Sequence, residues 1–211
     1  MIMNWLLDNW IELAGNVFAL CYLFFSIREN RWLWVLGFMM SFFYMILFFK
    51  SRLYADMSLQ VYYLFVSVYG WFHWMSTAKK EDISEAKVIP TISINAKQWL
   101  KYGLVTSLLT LVLFVLLKKV PDVLEIPPPD LPFADAFKTA GSIVATWMLA
   151  RKILENWLIW IVIDLFSLGI YLYKGLYLTS VIFVIYSVMA VVGYYRWKHN
   201  MQPQVSKLWS E

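Results

Sequence analysis

Seven apolar runs, near residues 9–27, 32–49, 54–75, 100–117, 134–150, 155–173 and 176–196, take up most of the chain. A helix rises 1.5 Å per residue, so runs of this length span the roughly 30 Å of hydrocarbon in a bilayer. In lipid a backbone must satisfy its own hydrogen bonds, which restricts such runs to helices. No proline falls inside any of them. Pro90, Pro121, Pro127, Pro128, Pro129, Pro132 and Pro203 lie between runs or in the tail. "PDVLEIPPPDLP" therefore reads as a non-helical linker between the fourth and fifth runs.

Composition agrees with the pattern. Of 211 residues, 61% are hydrophobic and 15% charged, against about 45–50% and roughly 25% in an ordinary soluble domain. One globular core cannot bury that much apolar surface. The net charge of +4 is spread over the connections rather than gathered in a patch, which argues against nucleic acid as a partner. Cys21 is the single cysteine and reads as a small packing hydrophobe. Metal-ligand spacings, H-E-x-x-H and G-x-S-x-G are missing, so neither an enzyme nor a metal or cofactor site is expected. The first run lacks a basic leader and reads as a retained helix.

Seven crossings place the ends on opposite sides. The side of the C-terminus carries twelve basic residues and the other side six. By the positive-inside rule the C-terminus is cytoplasmic and the N-terminus outside. The expected fold is an all-α integral membrane protein. It divides into a three-helix repeat at 1–75, a loop, linker helix and Pro-rich external loop at 76–133, a second three-helix repeat at 134–197 and a cytoplasmic tail at 198–211.

The repeat is visible in the residues. At a shift of 126, Ala14-Gly15 meets Ala140-Gly141, Glu29-Asn30 meets Glu155-Asn156, Trp34 meets Trp160 and Ser41 meets Ser167. Past Lys50 and Lys174 the shift becomes 123, and Tyr54 meets Tyr177, Tyr63 meets Tyr186 and Gly70 meets Gly193. The fourth run lies between the repeats and gives both the same direction, the parallel-repeat plan of some transporters. Glu29 and Glu155 read as acids favoured in a helix's first turn.

The sixth run carries the chemistry. Trp157, Trp160, Asp164 and Tyr171 are spaced 3, 4 and 7, with Ser167 on the same stripe, so they share one helix face. Asp164 falls near mid-bilayer, where an acid costs about 2.5–3.5 kcal/mol on insertion scales. It is expected to face a cavity. Indoles attract cations and stack on flat rings, and a carboxylate accepts hydrogen bonds and balances positive charge. The wall suits a small, flat, cationic aromatic solute. Gln60, Trp34, Asn16, Tyr63 and Tyr186 are the supporting candidates, each polar or aromatic within a run and each open to a packing role instead.

The pattern W-x-x-W-x-x-x-D-x-x-x-x-x-x-Y, with "KSRLYADMSLQVYYLFVSVYGWFHW" in the first repeat, resembles the PnuC family of bacterial vitamin transporters. The resemblance implies a 3+1+3, SWEET-like fold, a homotrimer in the inner membrane, and facilitated diffusion with trapping by a cytoplasmic kinase. Members for nicotinamide riboside resemble W-x-x-W-x-x-V-N. Here Ile163 and Asp164 replace the Val and Asn. An Asn amide donates and accepts, matching a carboxamide, whereas an ionised carboxylate only accepts. That suits an aminopyrimidine beside a thiazolium, so thiamin (the PnuT branch) is the first expectation. Nicotinamide riboside, also cationic, is the alternative, and a non-transporting membrane receptor ranks below both.

Overall fold

The computed structural model describes residues 10–50, 54–76, 90–125 and 127–208. Among them are seven helices: α1 (Trp10–Ile27), α2 (Leu33–Lys50), α3 (Tyr54–Ser76), α4 (Ala96–Leu124), α5 (Pro132–Ala150), α6 (Asn156–Tyr173) and α7 (Tyr177–Leu208). The only extended pairing among the described residues is an isolated parallel bridge between Ile92 and Ile153. Four stretches are long and apolar enough to cross a membrane by length and composition: Leu33–Lys50, Ala96–Val123, Asn156–Tyr173 and Ser180–Met201.

Two helices outrun the expected spans. The fourth continues through Pro121 to Leu124, so "PDVL" is helical and only the remainder of the linker is not. Proline there removes one ladder bond close to the helix end. The end itself is closed by Glu125, left-handed at φ 52°, whose backbone N–H donates to the Pro121 carbonyl. The seventh runs past the expected tail boundary and through Pro203 to Leu208. At its other end α4 opens with a capping box, Asn95 Oδ1 accepting from Gln98 N and Gln98 Oε1 from Asn95 N.

The chain forms two compact units. The first holds α1–α3 with Ala150–Lys152 and the stretch from Arg196 onward, and the second holds Thr91–Leu149 and Ile153–Tyr195. The second unit has a core of Ile94, Val144, Met148 and Ile153, with Tyr102, Leu109 and Ile159 against it. Its α4 is otherwise exposed along Leu100, Leu104, Leu108 and Leu111, as an apolar helix bathed in lipid is.

The first unit is knotted around Lys152. This lysine is fully buried, and its Nζ lies 2.7 Å from Glu29 Oε2 and over the rings of Trp74 and Trp197. Asn200 Nδ2 donates to Glu29 Oε1 at 2.8 Å, Trp197 Nε1 to the Ser26 carbonyl and Trp74 Nε1 to the Ala150 carbonyl, both at 3.0 Å. Counted from sequence as a solvated loop charge, Lys152 is instead an interior group. Nor does Glu29 open α2: it sits outside the helix at φ 55° and answers Lys152. Burial pulls the Lys152 ammonium below its ordinary value, and the Glu29 carboxylate opposes that pull.

Glu155 also differs from expectation. It makes no side-chain cap bond to α6. Its carboxylate accepts from Ser93 Oγ and from the Ile94 N–H. With Leu154 N donating to the Ile92 carbonyl at 2.9 Å, it ties the segment before α4 to the start of α6.

Helix bounds and close contacts recur at one offset of 123, with no change of shift. Ends fall at 27 and 150, whole helices at 33–50 and 156–173, and starts at 54 and 177. Left-handed residues fall at Glu29 and Lys152. The structural counterpart of Trp34 is thus Trp157, not Trp160, and that of Ser41 is Asp164, not Ser167.

Candidate functional site

In the second unit α6 and α7 are fixed by one tight approach. A Cβ at Gly193 would lie 2.7 Å from three atoms of the Trp157 indole. Only a glycine lets the ring lie on the α7 backbone. Two turns along α6 from Trp157 stands Asp164, and in the antiparallel register its neighbour on α7 is Tyr186, within electrostatic reach of the carboxylate. Beyond them Tyr171 stacks on Phe183 (5.1 Å, 20°), and Phe183 meets Tyr186 edge to face at 5.9 Å. Lys138 Nζ lies 5.6 Å from the Tyr171 ring centre.

The buried residues of α6 are Asn156, Trp157, Ile163, Asp164 and Ser167. At 100° per residue they cover one stripe of the helix, and Trp160 falls at its centre. Yet Trp160 is only half-buried and makes no ring contact or hydrogen bond among the described residues. A large side chain in the middle of an inward stripe stays partly open only where nothing fills the space beside it. Asp164 is 6% exposed and has no hydrogen bond or ion pair among the described residues. The four expected wall residues, Trp157, Trp160, Asp164 and Tyr171, and the supporting candidate Tyr186 all fall in the second unit. Trp157 and Tyr171 pack against protein, although Trp157 Nε1 is buried with no hydrogen-bond partner among the described residues, and Trp160 and Asp164 make no hydrogen bond among them either.

The first unit repeats the packing. A Cβ at Gly70 would lie 2.4 Å from the Trp34 ring, and one at Gly37 would lie 3.3 Å from Ser67 Oγ. Three residues forward on α2 is three back on α3, and continuing that register sets Ser41 opposite Tyr63 and Tyr44 opposite Gln60. Trp34 Nε1, Ser41 Oγ and Gln60 Oε1 are buried without a hydrogen-bond partner among the described residues. Tyr63 is half-buried against the Tyr62 ring at 5.6 Å. The Asn16 side chain lies outside the described residues. A groove in this unit is lined by Trp34, Val35, Phe38, Ser67, Val68, Trp71 and Phe72. It is almost wholly apolar, and Val68 and Phe72 are largely exposed, so it lacks the charge that a cationic solute requires.

Sequence reasoning missed Ser41, Phe183 and the pair Glu29–Lys152. Ser41 was legible only through the correct offset, which matches it to Asp164. Phe183 and the pair had no local signal.

An all-helical chain with four helical stretches long and apolar enough to cross a membrane is that of a membrane protein. Residues 9–199 match the family described as nicotinamide mononucleotide transporter, and the chain belongs to that family, the family of PnuC. It is 28% identical over 215 residues to the nicotinamide riboside transporter PnuC of Escherichia coli (strain K12), covering 94% of this chain and 89% of that one. It is 26% identical over 210 residues to the riboflavin/roseoflavin transporter RibM of Streptomyces davaonensis, covering 92% of each. The crystal structure of the vitamin B3 transporter PnuC shares the fold, with a TM-score of 0.71 at 19% identity over 96% of this chain and 86% of that one.

Proposed function

We propose that the protein is a vitamin transporter of the bacterial inner membrane, and that its solute is nicotinamide riboside. The observation that carries this is Asp164, a buried carboxylate with no hydrogen bond or ion pair among the described residues, one turn from a half-covered indole. A pyridinium ring stacked on Trp160 balances that charge and gains the attraction of an indole face. The named relatives move the weight from thiamin, the first expectation, to the riboside. Thiamin stays as a second reading for one reason: an acceptor-only carboxylate suits its aminopyrimidine.

The reading includes seven crossings in two parallel three-helix repeats around α4, a cytoplasmic C-terminus and a homotrimer. Transport is facilitated diffusion, with cytoplasmic phosphorylation trapping the vitamin. The protein is not an enzyme in this scheme. Its side chains bind and orient the solute, and uptake follows from the site facing each side in turn.

Uptake of labelled nicotinamide riboside, thiamin and riboflavin into proteoliposomes tests this. Riboside entry without an ion gradient is expected. A requirement for a proton or sodium gradient refutes facilitated diffusion, and binding with no entry indicates a receptor.

A further inference from the structure

We infer that the groove between the start of α2 and the end of α3 seats an acyl chain of one anionic phospholipid, whose phosphate is met by Arg31. The inference needs the chain to be embedded in a bilayer and needs no particular solute. The groove lies wholly in the first unit. Its volume of about 220 Å³ falls below the roughly 300–1,000 Å³ of pockets that enclose a whole small molecule. That size suits a stretch of hydrocarbon rather than a vitamin.

The walls are two apolar stripes. Val35 and Phe38 on α2, and Val68 and Phe72 on α3, line the groove. Phe42 and Phe65 continue the two stripes, each spaced 3 and 4 on one helix face. Phe65, Val68 and Phe72 are 72%, 45% and 64% exposed, as side chains that face lipid are. Trp34 and Ser67 are nearly covered beneath them, so the groove shows hydrocarbon almost no polar surface.

Charge at one end names the occupant. The groove opens where α2 begins and α3 ends, and there the Trp32 and Trp71 rings meet at 5.5 Å, as in the aromatic belt at a bilayer surface. The Arg31 guanidinium lies 5.9 Å from the centre of the Trp71 ring, which lines the groove. Arg31 is exposed and has no ion pair among the described residues. Arg28, also exposed, lies over Phe24 in the same connection. The acid of that connection, Glu29, is buried against Lys152. The connection thus shows the bilayer surface positive charge alone. A guanidinium grips phosphate through two parallel N–H bonds, and a zwitterionic headgroup adds an ammonium that it repels.

The test is native mass spectrometry of the purified protein in neutral detergent, titrated with phosphatidylglycerol or phosphatidylcholine. Wild-type protein should retain one phosphatidylglycerol per chain in preference to phosphatidylcholine. The variants are Arg31→Gln, Val68→Trp, which fills the groove from its exposed wall, and Lys118→Gln. Lys118 is likewise an exposed cation over a ring, 4.8 Å from the centre of Phe114, but belongs to the second unit. Losing one hydrogen bond to a charged group predicts roughly tenfold weaker retention in Arg31→Gln. Lys118→Gln stays level, and Val68→Trp loses the lipid with Arg31 in place. Unfolding temperatures are the fold control, and Arg31, exposed and outside a helix, decides the matter if Val68→Trp does not fold. No retention, or equal retention of the two lipids, overturns the assignment. So does an equal loss in Arg31→Gln and Lys118→Gln, unchanged retention in Val68→Trp, or equally tight binding of glycerophosphoglycerol, a headgroup without chains. If wild-type chains associate without lipid and separate in Val68→Trp, the groove seats a second copy and the inference is wrong. No solute enters the experiment, so the transport reading stands or fails separately.

Discussion

Alanine at Gly193 is the sharpest probe of how the site is held. The new Cβ would lie 2.7 Å from Trp157 Cε2, Cζ2 and Cη2. Carbon atoms rest about 3.5–4.0 Å apart, so the indole must retreat by roughly 1 Å. Trp157 is 2% exposed, so it has no free space to enter. Overpacking of this kind costs about 1–3 kcal/mol. Replacing a helical glycine by alanine returns about 0.8–1.0 kcal/mol. Gly169 supplies the control, because it sits in α6 itself and a Cβ there would meet nothing within 4 Å. Gly169→Ala therefore keeps the gain alone, and the two alanine variants should differ by the full overpacking cost, about 1–3 kcal/mol. At about 2–4 °C per kcal/mol for a chain of this size, that is a gap of roughly 2–12 °C in unfolding temperature, read by tryptophan fluorescence in detergent. Riboside affinity should fall about threefold to tenfold in Gly193→Ala, the worth of one disturbed aromatic contact, and stay level in Gly169→Ala. Adding Trp157→Phe to Gly193→Ala removes the clashing part of the ring and should recover the unfolding temperature. Equal stability and equal affinity in the two alanine variants would refute the claim that this approach positions Trp157.

Lys152→Met should lower the unfolding temperature sharply, because a buried carboxylate stripped of its partner costs about 3–5 kcal/mol. Adding Glu29→Leu should recover most of the loss, and a double variant no better than the single would show that the pair is not coupled. The folded protein holds Lys152 below its ordinary value through burial, so between that value and the unfolded one the native state binds fewer protons. Stability should therefore rise with pH across that alkaline window and be lower beneath it. Lys152→Met should flatten that rise in a comparison of unfolding temperatures against pH. Asp164→Asn should weaken binding of a cationic solute about tenfold or more, the scale of one charge-assisted hydrogen bond, while leaving the fold intact. Unchanged affinity in the titration would make Asp164 a structural group.

Helix positions were legible because lipid removes the alternatives. A run such as 32–49 has no other way to satisfy its backbone, and α2 (Leu33–Lys50) follows it closely. The α6 stripe was legible for the same reason, since spacing alone puts Trp157, Asp164 and Ser167 on one face, and all three are buried. The helix ends were less so. A proline rule that holds in the middle of a helix gives no stop signal at Pro121, where a single ladder bond is at stake and the left-handed Glu125 closes the end. The partners of Lys152 were illegible altogether. Glu29, Trp74 and Trp197 reach it, and Asn200 reaches Glu29, from distant parts of the chain, and no periodicity links residues that meet only after folding.

The slip of three residues in the repeat has a physical origin that bears on the site. Three residues turn a helix by 300°, which leaves the apolar stripe only 60° from where it began. A shift of 126 therefore preserves nearly the same pattern of apolar and aromatic residues as a shift of 123, and a few identities suffice to favour the wrong one. What separates the two is contact between helices, which hydropathy does not encode. Trp34 requires Gly70 and Trp157 requires Gly193, and a tryptophan displaced by three residues would meet Ser67 or Ala190 instead of bare backbone. Pairing each indole with its glycine fixes the register. The register in turn makes Ser41 and Asp164 counterparts, a hydroxyl at one position and a carboxylate at the other.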